Sequence, residues 1–547
     1  MNTARRHAVL ALAAAVVLPV AGLATAAPSP DPRLAVNVGD LDPGFSPSGR
    51  PGVTDPLASQ QFVDVALQSD GKVVAISDQG GDFFVARFNQ DGSVDTGFGI
   101  LGTGTAVIDV GGATKTDQAF AVAIDTQDRI IVAGRGGSDA GDFALVRLSR
   151  DGKATDINTH IHVGNVADTS AARDVALQSD GTIVLGGTAK VGGDTDFAVT
   201  RFAASTGAVI GAPSTVSLGT GDEAGRAVAV YPSGPNQDKI VVVGDTGTSA
   251  DSAFGIVQWK PDASSDPSFN GTGLRVIDPT TGNDSARGVA ITASGSILVA
   301  GRNGAADGDL VLAQLLPTGP LDGDFNLGSL RTLSRPGNEQ PQTHPLAVQS
   351  DGRIVITADS NNSVDVGVFR LNANGSVDTT FGSGGVATFD VDSNDDANAV
   401  AVDPRGYLVV VGDDNTSAGF VARLFGSPDS DDDGVLDPVD ACPLVTGKRP
   451  NGCPEAQLKG TKVYIQTLLS KSKASAKCPA KATVVVTTRT KDGKLTVSKK
   501  LKTTASGSGC ALAGKVKLGA KPKKSAKTKV KITGTKLKTK RLVAVRL

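Results

Sequence analysis

One phrase recurs seven times along this chain, and it limits the folds that the chain can adopt. Its first copy runs from Val65 to Val74, and its third copy, from Val175 to Val184, is nearly identical. Self-similarity at a fixed period is the sequence signature of a repeat architecture. The positions equivalent to Asp70 follow one another at spacings of 53 to 57 residues and are Gln127, Asp180, Gln237, Ser294, Asp351 and Arg405.

Each repeat contains four short segments that are typical of strands. Runs rich in valine and isoleucine flank a turn of the Asp70-Gly71 type, which is a hairpin signal. A third run follows at Asp82 to Phe88, and a fourth, at Thr105 to Val110, precedes the next copy of the phrase. Glycine makes up 67 of the 547 residues, which suits a chain with many turns. The pattern predicts an all-β fold, a seven-bladed β-propeller of about 56-residue repeats over residues 41–426. An open β-solenoid is the alternative, and seven units favour the closed ring.

The joints between repeats carry a family resemblance. Val94-Asp95-Thr96-Gly97-Phe98-Gly99 is one joint, and Leu41 to Phe45 is another. Together, the LDP/VDT-x-F-G joint, the VAL-x-x-DGK-VV phrase and the DFA-x-x-R run resemble the delta-60 repeat family of bacterial surface and secreted proteins. The resemblance covers residues 41–426 and implies a propeller-like fold, but it brings no activity and no catalytic residues. It is looser in the fourth repeat, and the joint is missing at the start of the third and fourth repeats.

Recurring charged residues in the third run have two interpretations. Asp82 and Arg87 have partners of the same type in several repeats, but Gln258 and Gln314 replace the arginine in two of them. A ring of such residues could line a channel. The structural alternative is a salt bridge between blades or a cap at a strand end, and repetition of one residue type favours this architectural role.

The first 27 residues have the pattern of a secretory signal peptide. Arg5 and Arg6 precede a short apolar run from Ala8 to Ala21, and Ala24-Thr25-Ala26 gives a small-x-small cleavage pattern. The alternative is a membrane anchor, but the run is shorter than the ~20 residues that a span needs. With no second apolar span, we expect a secreted, extracellular protein without a transmembrane segment, which could associate with the cell surface.

An acidic segment after the repeats predicts a calcium site. Hard Ca²⁺ takes six to eight oxygen ligands, and aspartates at alternate positions around a glycine curl several carboxylates about one point. The fixed glycine is Gly434, and position 12 of the loop is aspartate rather than the glutamate of an EF-hand. A solvated acidic linker is the alternative. The predicted ligands are Asp429, Asp431, Asp433, the backbone carbonyl of Val435, Asp437 and Asp440.

This segment, within residues 427–454, is similar to a thrombospondin type 3 repeat through Cys442-Pro443. The resemblance implies a structural Ca²⁺ connector that is pinned by a disulfide, here between Cys442 and Cys453. An even number of cysteines in an exported chain also favours disulfides. The other two, Cys478 and Cys510, could therefore bridge the following domain.

Residues 455–547 are strongly basic, with 25 lysine and arginine residues against two acidic ones, although the whole chain has a net charge of −2. Alternation of lysine with apolar residues, as in Lys529-Val530-Lys531-Ile532, predicts a small β-sandwich with a charged outer face. Such a face could bind an anionic polymer of the cell envelope, or it could dock on the acidic propeller. Nucleic acid is the weaker partner, because Tyr464 is the only aromatic residue available for stacking.

Enzyme motifs are scarce. The sequence has no G-x-S-x-G elbow, no H-E-x-x-H and no Walker loop. His160 and His162 could meet a metal from one strand face, but no third ligand is evident, and surface histidines are the simpler interpretation. The sequence therefore predicts a non-enzymatic binding or scaffold protein with an unknown ligand at the propeller face. The alternative function is a secreted propeller hydrolase or lyase that acts on polysaccharide.

Overall fold

The structure is a computed structural model. It describes the propeller as residues 37–46, 50–55, 57, 60–79, 81–112, 116–137, 141–164, 169–219, 221–248, 251–304, 308–333, 344–360, 365–392, 395–413 and 418–427. It describes the C-terminal region as residues 456–459, 462–470, 481–490, 493–506, 509–518, 528–533 and 540–546.

The repeats fold into seven four-stranded antiparallel sheets, and the predicted β-propeller fold is confirmed. Six sheets take their strands in chain order, from β2–β5 to β22–β25, and the seventh has the order β1-β28-β27-β26. We number them sheets 1 to 7 along the chain. The strands are β1 Val53–Thr54, β2 Asp64–Leu67, β3 Val73–Gln79, β4 Asp82–Phe88, β5 Thr105–Ile108, β6 Gln118–Ile124, β7 Ile130–Gly136, β8 Asp142–Leu148, β9 Thr155–Ile161, β10 Ser170–Leu177, β11 Ile183–Val191, β12 Asp194–Phe202, β13 Ser214–Val216, β14 Ala224–Val230, β15 Ile240–Thr248, β16 Asp251–Trp259, β17 Leu274–Ile277, β18 Ser285–Ile291, β19 Ile297–Arg302, β20 Leu310–Leu315, β21 Arg331–Leu333, β22 Leu346–Val348, β23 Ile354–Ser360, β24 Asp365–Leu371, β25 Val386–Phe389, β26 Asp396–Val402, β27 Tyr407–Asp413 and β28 Gly419–Phe425.

The first strands of the seven sheets form a closed ring of contacts. Each packs on the next, from β2 to β26, and β26 packs on β2. The last sheet takes its fourth strand from the start of the described chain, because β1 pairs with β28 and Leu41 forms a β-bridge with Leu424. These innermost strands surround a central channel, and every sheet has both faces covered by its neighbours.

The core lies between adjacent sheets and explains the composition of the strands. All seven residues of β8 are buried, as are the first five of β7. One cluster packs Ile76 and Val85 of sheet 1 against Ile130 and Val132 of sheet 2. Strands covered on both faces need apolar residues at consecutive positions, and β-branched side chains fit the pleated surface well. The valine-rich and isoleucine-rich runs are therefore central strands of the sheets.

The hairpin turn after the innermost strand requires a left-handed residue. Gly71 has φ +77°, and a Cβ built there would lie 2.7 Å from the Arg405 guanidinium, so glycine suits this position. Sheets 2 and 4 place aspartates there, Asp128 with φ 61° and Asp238 with φ 65°. Asp128 compensates by accepting a hydrogen bond from the Ser69 amide of sheet 1 at 2.8 Å, which ties the two turns together.

The recurring arginine is part of a buried structural unit at the joint. The Arg87 guanidinium lies 4.8 Å from the centroid of the Phe98 ring and forms an ion pair of 2.7 Å with Asp95. Asp95 also accepts a hydrogen bond of 3.0 Å from the Gly97 amide, which fixes the joint. Arg87, Asp95 and Phe98 are all buried, so this arginine does not line an open channel.

These arginines also connect neighbouring sheets. In five sheets the guanidinium donates to a backbone carbonyl of the following sheet, as Arg201 does to Pro261 at 2.7 Å. Arg423 of sheet 7 donates to Gln90 of sheet 1 and so completes the ring. The structural interpretation is correct for the arginines, but their acidic partner is the joint aspartate and not Asp82. The other arginine–carbonyl pairs are Arg87 with Arg150, Arg147 with Ala204 and Arg370 with Gly426.

Two joints lack the sequence motif because other residues form them. At the start of sheet 3, Asp156 takes the place of the joint aspartate and pairs with Arg147 through bonds of 2.9 and 2.8 Å. Ile157 takes the place of the phenylalanine, and it packs against the turn glycine Gly207 of the next sheet. At the start of sheet 4, Arg201 keeps only its contact with the Pro261 carbonyl.

The C-terminal strands close into one sheet of seven strands, in the order β29-β30-β33-β32-β31-β34-β35. This differs from the predicted two-sheet sandwich. The long strand β32 pairs with β31 along Gly493 to Lys502 and with β33 along Thr503 to Ser506, and β35 pairs with β29, so no edge remains between two sheets. The strands are β29 Ala456–Lys459, β30 Lys462–Ser470, β31 Lys481–Thr490, β32 Gly493–Ser506, β33 Gly509–Lys517, β34 Thr528–Thr533 and β35 Lys540–Arg546.

Helical structure is almost absent from the described residues. They include a single 3₁₀ turn at Asn326–Gly328 and no α-helix. Consequently, none of the described residues forms a helix that is long and apolar enough to cross a membrane.

Candidate functional site

The predicted calcium ligands Asp429, Asp431, Asp433, Val435, Asp437 and Asp440 lie outside the described residues. The same is true of the predicted signal peptide, of Cys442 and Cys453, and of the side chains of Cys478 and Cys510. The calcium site, the disulfides and export therefore stay predictions, and the candidate site is sought in the propeller.

His160 and His162 both lie beside one carboxylate of the neighbouring strand. His162 Nδ1 is 2.7 Å from Asp142 Oδ1, and His160 Nε2 is 3.8 Å from Asp142 Oδ2. The His160 side chain is 41% exposed. Among the described residues, this pair is not part of a group of three or more metal-ligating side chains, and the interpretation as surface histidines is retained.

The described residues contain one such group of metal-ligating types, which consists of Asp82, Asp109 and Asp117. Asp117 is engaged by backbone amides, because it accepts hydrogen bonds from Val110 at 2.7 Å and from Gly111 at 3.2 Å. Other sheets repeat this arrangement, with Asp284 receiving the amides of Thr280 and Gly304, and Asp395 those of Val391 and Asp392. We interpret these aspartates as anchors for loops at the ends of the strands.

One position of the innermost strand differs from sheet to sheet and lies next to the channel. The register of β6, β10, β14, β18 and β26 skips one residue, so a bulged residue stands two positions before the valine of the recurring phrase. A β-bulge re-aims a side chain, and bulges are common near functional sites. We call the seven equivalent residues the channel ring: Val63, Phe120, Arg173, Arg226, Arg287, His344 and Asn398.

His344 joins distant sheets across the channel. Its Nδ1 lies 3.6 Å from Asp64 Oδ1 of sheet 1, and its Nε2 lies 3.5 Å from Asp174 Oδ1 of sheet 3. Its side chain is only 15% exposed. The two aspartates are also held by backbone amides, since Asp64 receives that of Val122 at 2.7 Å and Asp174 that of Val228 at 2.7 Å. The channel is therefore crossed by a buried Asp–His–Asp array.

Burial governs the ionisation of this array. Desolvation raises the pKa of Asp64 to about 6, even though His344 and the Val122 amide act against it. The pKa of Asp174 is raised for the same reason, with His344 again opposing. Burial alone would lower the pKa of His344, but the carboxylates of Asp64 and Asp174 outweigh it and raise the pKa above its ordinary value. The folded array thus holds protons more tightly than the unfolded chain.

Stability of the propeller should therefore fall as pH rises. A group whose pKa is raised on folding stabilises the fold fully below its unfolded pKa and loses that contribution as pH passes its folded pKa. For Asp64 this window runs from about pH 4 to just above pH 6. Between pH 5 and pH 8, Asp64 loses about 1.4 kcal/mol of this contribution, and the other buried acids with raised pKa values add to it. We expect the free energy of unfolding to fall by about 2–3 kcal/mol in total over this range, as measured by denaturant titration at each pH.

The substitution Asp64→Asn should reduce the dependence of the free energy of unfolding on pH, because the amide side chain does not titrate. Asp395, whose pKa is also raised to about 6 by burial, keeps part of the slope. Asp91→Asn is the control, because Asp91 is exposed and its pKa is lowered, chiefly by Ser93, so it titrates below the window. An unchanged slope in Asp64→Asn would show that the array does not set the pH dependence.

The family model matches the parts of the repeats that build the fold. Residues 68–98, 178–208 and 349–381 match the model of DUF5122, a domain of unknown function described as a beta-propeller. This is a β-propeller repeat family, consistent with the delta-60-like repeats that the sequence predicts. Each matched segment begins at the glutamine of the recurring phrase, after the channel-ring position, and two of the three end at the joint phenylalanine. The match therefore covers framework residues and leaves out the channel ring.

Several solved structures resemble this chain at low identity. Virginiamycin B lyase from Staphylococcus aureus is 9% identical with a TM-score of 0.42, over 68% of this chain and 98% of that chain. YCF48 from Cyanidioschyzon merolae is 11% identical with a TM-score of 0.38, over 68% and 98% of the two chains. A PL25 ulvan lyase is 11% identical with a TM-score of 0.39, over 72% and 95%. No curated protein sequence matches this chain. At these identities the likeness concerns the fold alone.

Proposed function

We propose that this chain is an exported, non-enzymatic binding protein built on a seven-bladed propeller. The propeller presents a ligand site at its channel, a calcium-stiffened connector within residues 427–454 follows it, and the basic region 455–547 holds the protein to anionic polymers of the cell envelope. The observation that carries the proposal is the contrast between a repeated framework and a channel ring whose side chains differ.

The framework positions are repeated because they build the fold. Gln68, Gln178 and Gln349 are all buried and donate to carbonyls of the following sheet, with Gln68 reaching Arg150 and Gln349 reaching Gly426. The channel ring occupies the equivalent sequence position of every repeat, yet it carries a valine, a phenylalanine, three arginines, a histidine and an asparagine. Architecture does not need that variety, whereas recognition of one asymmetric ligand does.

The basic region supports retention at an anionic surface. In β34 the apolar residues Val530 and Ile532 are buried, whereas Lys529 and Lys531 are exposed. Lysines therefore cover an outer face of a sheet that has its own core. A dense array of exposed positive charge attracts anionic polymers, and its attraction is screened by salt.

The enzymatic alternative would require carboxylates that converge in an open cleft. The Asp–His–Asp array supports this alternative less well, because Asp64 is 7% exposed and each carboxylate already receives two backbone amides. The channel ring is varied, and three of its seven residues are arginines, which bind anions more readily than they transfer protons.

Co-sedimentation of the full chain with purified bacterial cell walls tests the proposal. We expect binding that weakens as salt rises, that is lost when anionic wall polymers are extracted, and that releases no soluble fragments. In a parallel reaction, the full chain is incubated with acidic polysaccharide instead of cell walls, and the appearance of new reducing ends is measured. Release of fragments would replace the binding function by the hydrolase or lyase, and absence of wall binding would remove the envelope role.

Calcium should stabilise the connector. We expect the unfolding transition that includes residues 427–454 to shift upward by several degrees in calcium relative to chelator, because ligand bound only by the folded state adds about 2.7 kcal/mol at 100 times its dissociation constant. Asp433→Asn removes one predicted ligand and should abolish the shift. Asp351→Asn, on an exposed turn of the propeller, is the control. An equal calcium shift in wild type and Asp433→Asn would place the ion elsewhere.

A further inference from the structure

Three consecutive sheets place an arginine in the channel ring. Arg173, Arg226 and Arg287 are the bulged residues of β10, β14 and β18, respectively. Two more arginines, Arg135 of β7 and Arg302 of β19, pair in register with the residue two positions before the bulge of their own sheets. We call these five residues the arginine crescent, which follows sheets 2 to 5 around the channel.

The described carboxylates beside the crescent are engaged by other groups as well. Asp245 accepts a hydrogen bond of 2.7 Å from Arg226 Nε through one oxygen, and its other oxygen receives the Ser285 hydroxyl at 2.6 Å. Two further carboxylates, Asp222 and Glu223, line a cavity beside the crescent. They accept hydrogen bonds from the backbone amides of Thr195 and Leu218, respectively. Asp245 therefore pairs directly with Arg226, and its second oxygen is occupied by Ser285.

The arginines are close enough to repel one another. Burial, with Arg226 and Arg135 nearby, lowers the pKa of Arg173 to about 10. Burial, with Arg226, Arg302 and Arg173 nearby, lowers that of Arg287 to about 10, although Asp245 acts in the opposite direction. The buried Nε of Arg287 has no hydrogen-bond partner in the described structure. Buried cations that lack partners are costly, and an anion at this place would relieve the cost.

A cavity of about 520 Å³ opens on the crescent. Arg226, Arg287 and Arg302 line it on the side of the channel. Three carboxylates also line it, together with hydroxyl and amide side chains. The carboxylates are Asp222, Glu223 and Asp245, and the neutral polar residues are Thr195, Thr248, Ser252, Ser285 and Asn283. The volume lies within the range of small-ligand sites, roughly 300–1,000 Å³.

We propose that the arginine crescent and its cavity bind an acidic saccharide, with the guanidinium groups holding carboxylate or sulfate and the hydroxyl and amide groups holding sugar hydroxyls. Arginine presents a planar pair of donors that matches such oxyanions. The proposal rests on the binding function given above and names its ligand class.

A nucleotide fits this site less well than a saccharide. Recognition of a base usually uses an aromatic face. The aromatic residue of the channel ring is Phe120, and the Arg173 guanidinium already covers it at 4.3 Å from the ring centroid. The cavity lining has no aromatic side chain, whereas it has five neutral hydroxyl or amide groups. Its chemistry is that of a polar, hydroxylated ligand with negative charge.

The test uses the full chain and three oligosaccharide probes of equal length. These are a polygalacturonate hexamer for carboxylate, a heparin hexamer for sulfate and maltohexaose as the neutral control, with inorganic sulfate as the free-anion arm. Phenylglyoxal labels arginines, and mass spectrometry of the peptides reports each one separately. We expect an acidic hexamer to protect Arg226 and Arg287, and maltohexaose to protect neither.

Two variants that each remove one positive charge complete the test. Arg287→Gln should weaken binding of the acidic hexamer at the propeller by about tenfold or more, because hydrogen bonds to charged groups are the strong ones. Arg275→Gln is the matched control, since Arg275 lies on the outermost strand β17 and also has a buried Nε without a partner. Both variants should unfold at the wild-type midpoint.

Several outcomes would overturn the ligand assignment. These are equal weakening by Arg275→Gln, protection by maltohexaose to the same extent, protection by inorganic sulfate alone, or protection confined to arginines of the basic region such as Arg489 and Arg541. The last result would leave the envelope role intact. Cleavage of a bound hexamer would instead remove the non-enzymatic function and leave the ligand class standing, so the two failures are distinguishable.

Discussion

Replacing Arg370 by alanine is expected to lower the free energy of unfolding by about 3–5 kcal/mol, the usual cost of removing one partner of a buried ion pair. Arg370 and Asp378 are 2% and 4% exposed and lie 2.8 Å apart. Burial alone would raise the pKa of Asp378, but Thr380, Arg370 and Arg353 together lower it. Without Arg370, the aspartate keeps Arg353 and its hydrogen bonds from Thr380. The Gly426 carbonyl loses one of its two donors and keeps Gln349, and Phe381 loses the cation stacked 4.5 Å above its ring.

The chain itself supplies the matched control. In sheet 4, Gln258 stands in place of the arginine and donates to Asp266 at 2.8 Å. Arg370→Gln should therefore retain one hydrogen bond to Asp378 and cost clearly less than Arg370→Ala. Arg150→Ala removes a half-exposed arginine paired with Asp70 and should cost at most about 1 kcal/mol. Chemical denaturation measures all three, and equal costs for Arg370→Ala and Arg150→Ala would contradict the structural role of the buried unit.

The fold could be predicted because the same local signals occur seven times. A short turn between two β-branched runs, which is Asp-Gly in three of the seven copies, indicates a hairpin by itself. The recurrence of the whole phrase every 53 to 57 residues indicates the repeat. The role of the arginine was also accessible, since its replacement by glutamine in Gln258 and Gln314 argues against chemistry. The acidic partner of the arginine could not be predicted, because Asp95 lies in the joint and contacts Arg87 only after the chain turns back on itself.

The residues that meet in the channel could not be predicted from the sequence, for a physical reason. Asp64, Asp174 and His344 are far apart in the chain, and ring closure alone brings them together. A signal was nevertheless present, because the residue two positions before the recurring phrase changes from repeat to repeat while the phrase itself is repeated. Reading the copies for their differences, and not only for their likeness, would have singled out His344 and the three arginines of the ring.

The C-terminal region shows a different limit of prediction from sequence patterns. Alternation predicts which residues face a core, and Val484 and Val486 are indeed buried. It does not predict whether two sheets stay separate or join at their edges. That depends on strand length, because β32 has 14 residues and is long enough to pair with two partners in succession.

The largest expected effect concerns closure of the ring. The segment from Gly39 to Thr54 completes sheet 7, through backbone hydrogen bonds to β28 and through the ion pair of Asp42 with Arg423 at 2.5 Å. Phe45 is fully buried and lies under the same guanidinium, 4.7 Å from its ring centroid. A chain that starts at Asp55 therefore leaves Arg423 buried without its carboxylate and an empty space where Phe45 packs. Each defect costs about 3–5 kcal/mol, and their sum approaches the whole stability of a typical domain.

We expect this shortened chain to lose its cooperative thermal transition, and a peptide of residues 37–54 added in trans to restore it. The peptide should act because the missing contacts are those of one added strand, with Leu41 opposite Leu424 and Val53 opposite Ala422. A peptide carrying alanine in place of Asp42 and Phe45 is the matched control and should not restore the transition, since it keeps the strand but lacks the two buried anchors. If the shortened chain unfolds at the wild-type midpoint without any peptide, the six complete sheets and the three-stranded remainder of the seventh are stable by themselves, and the segment is not the closure of the ring.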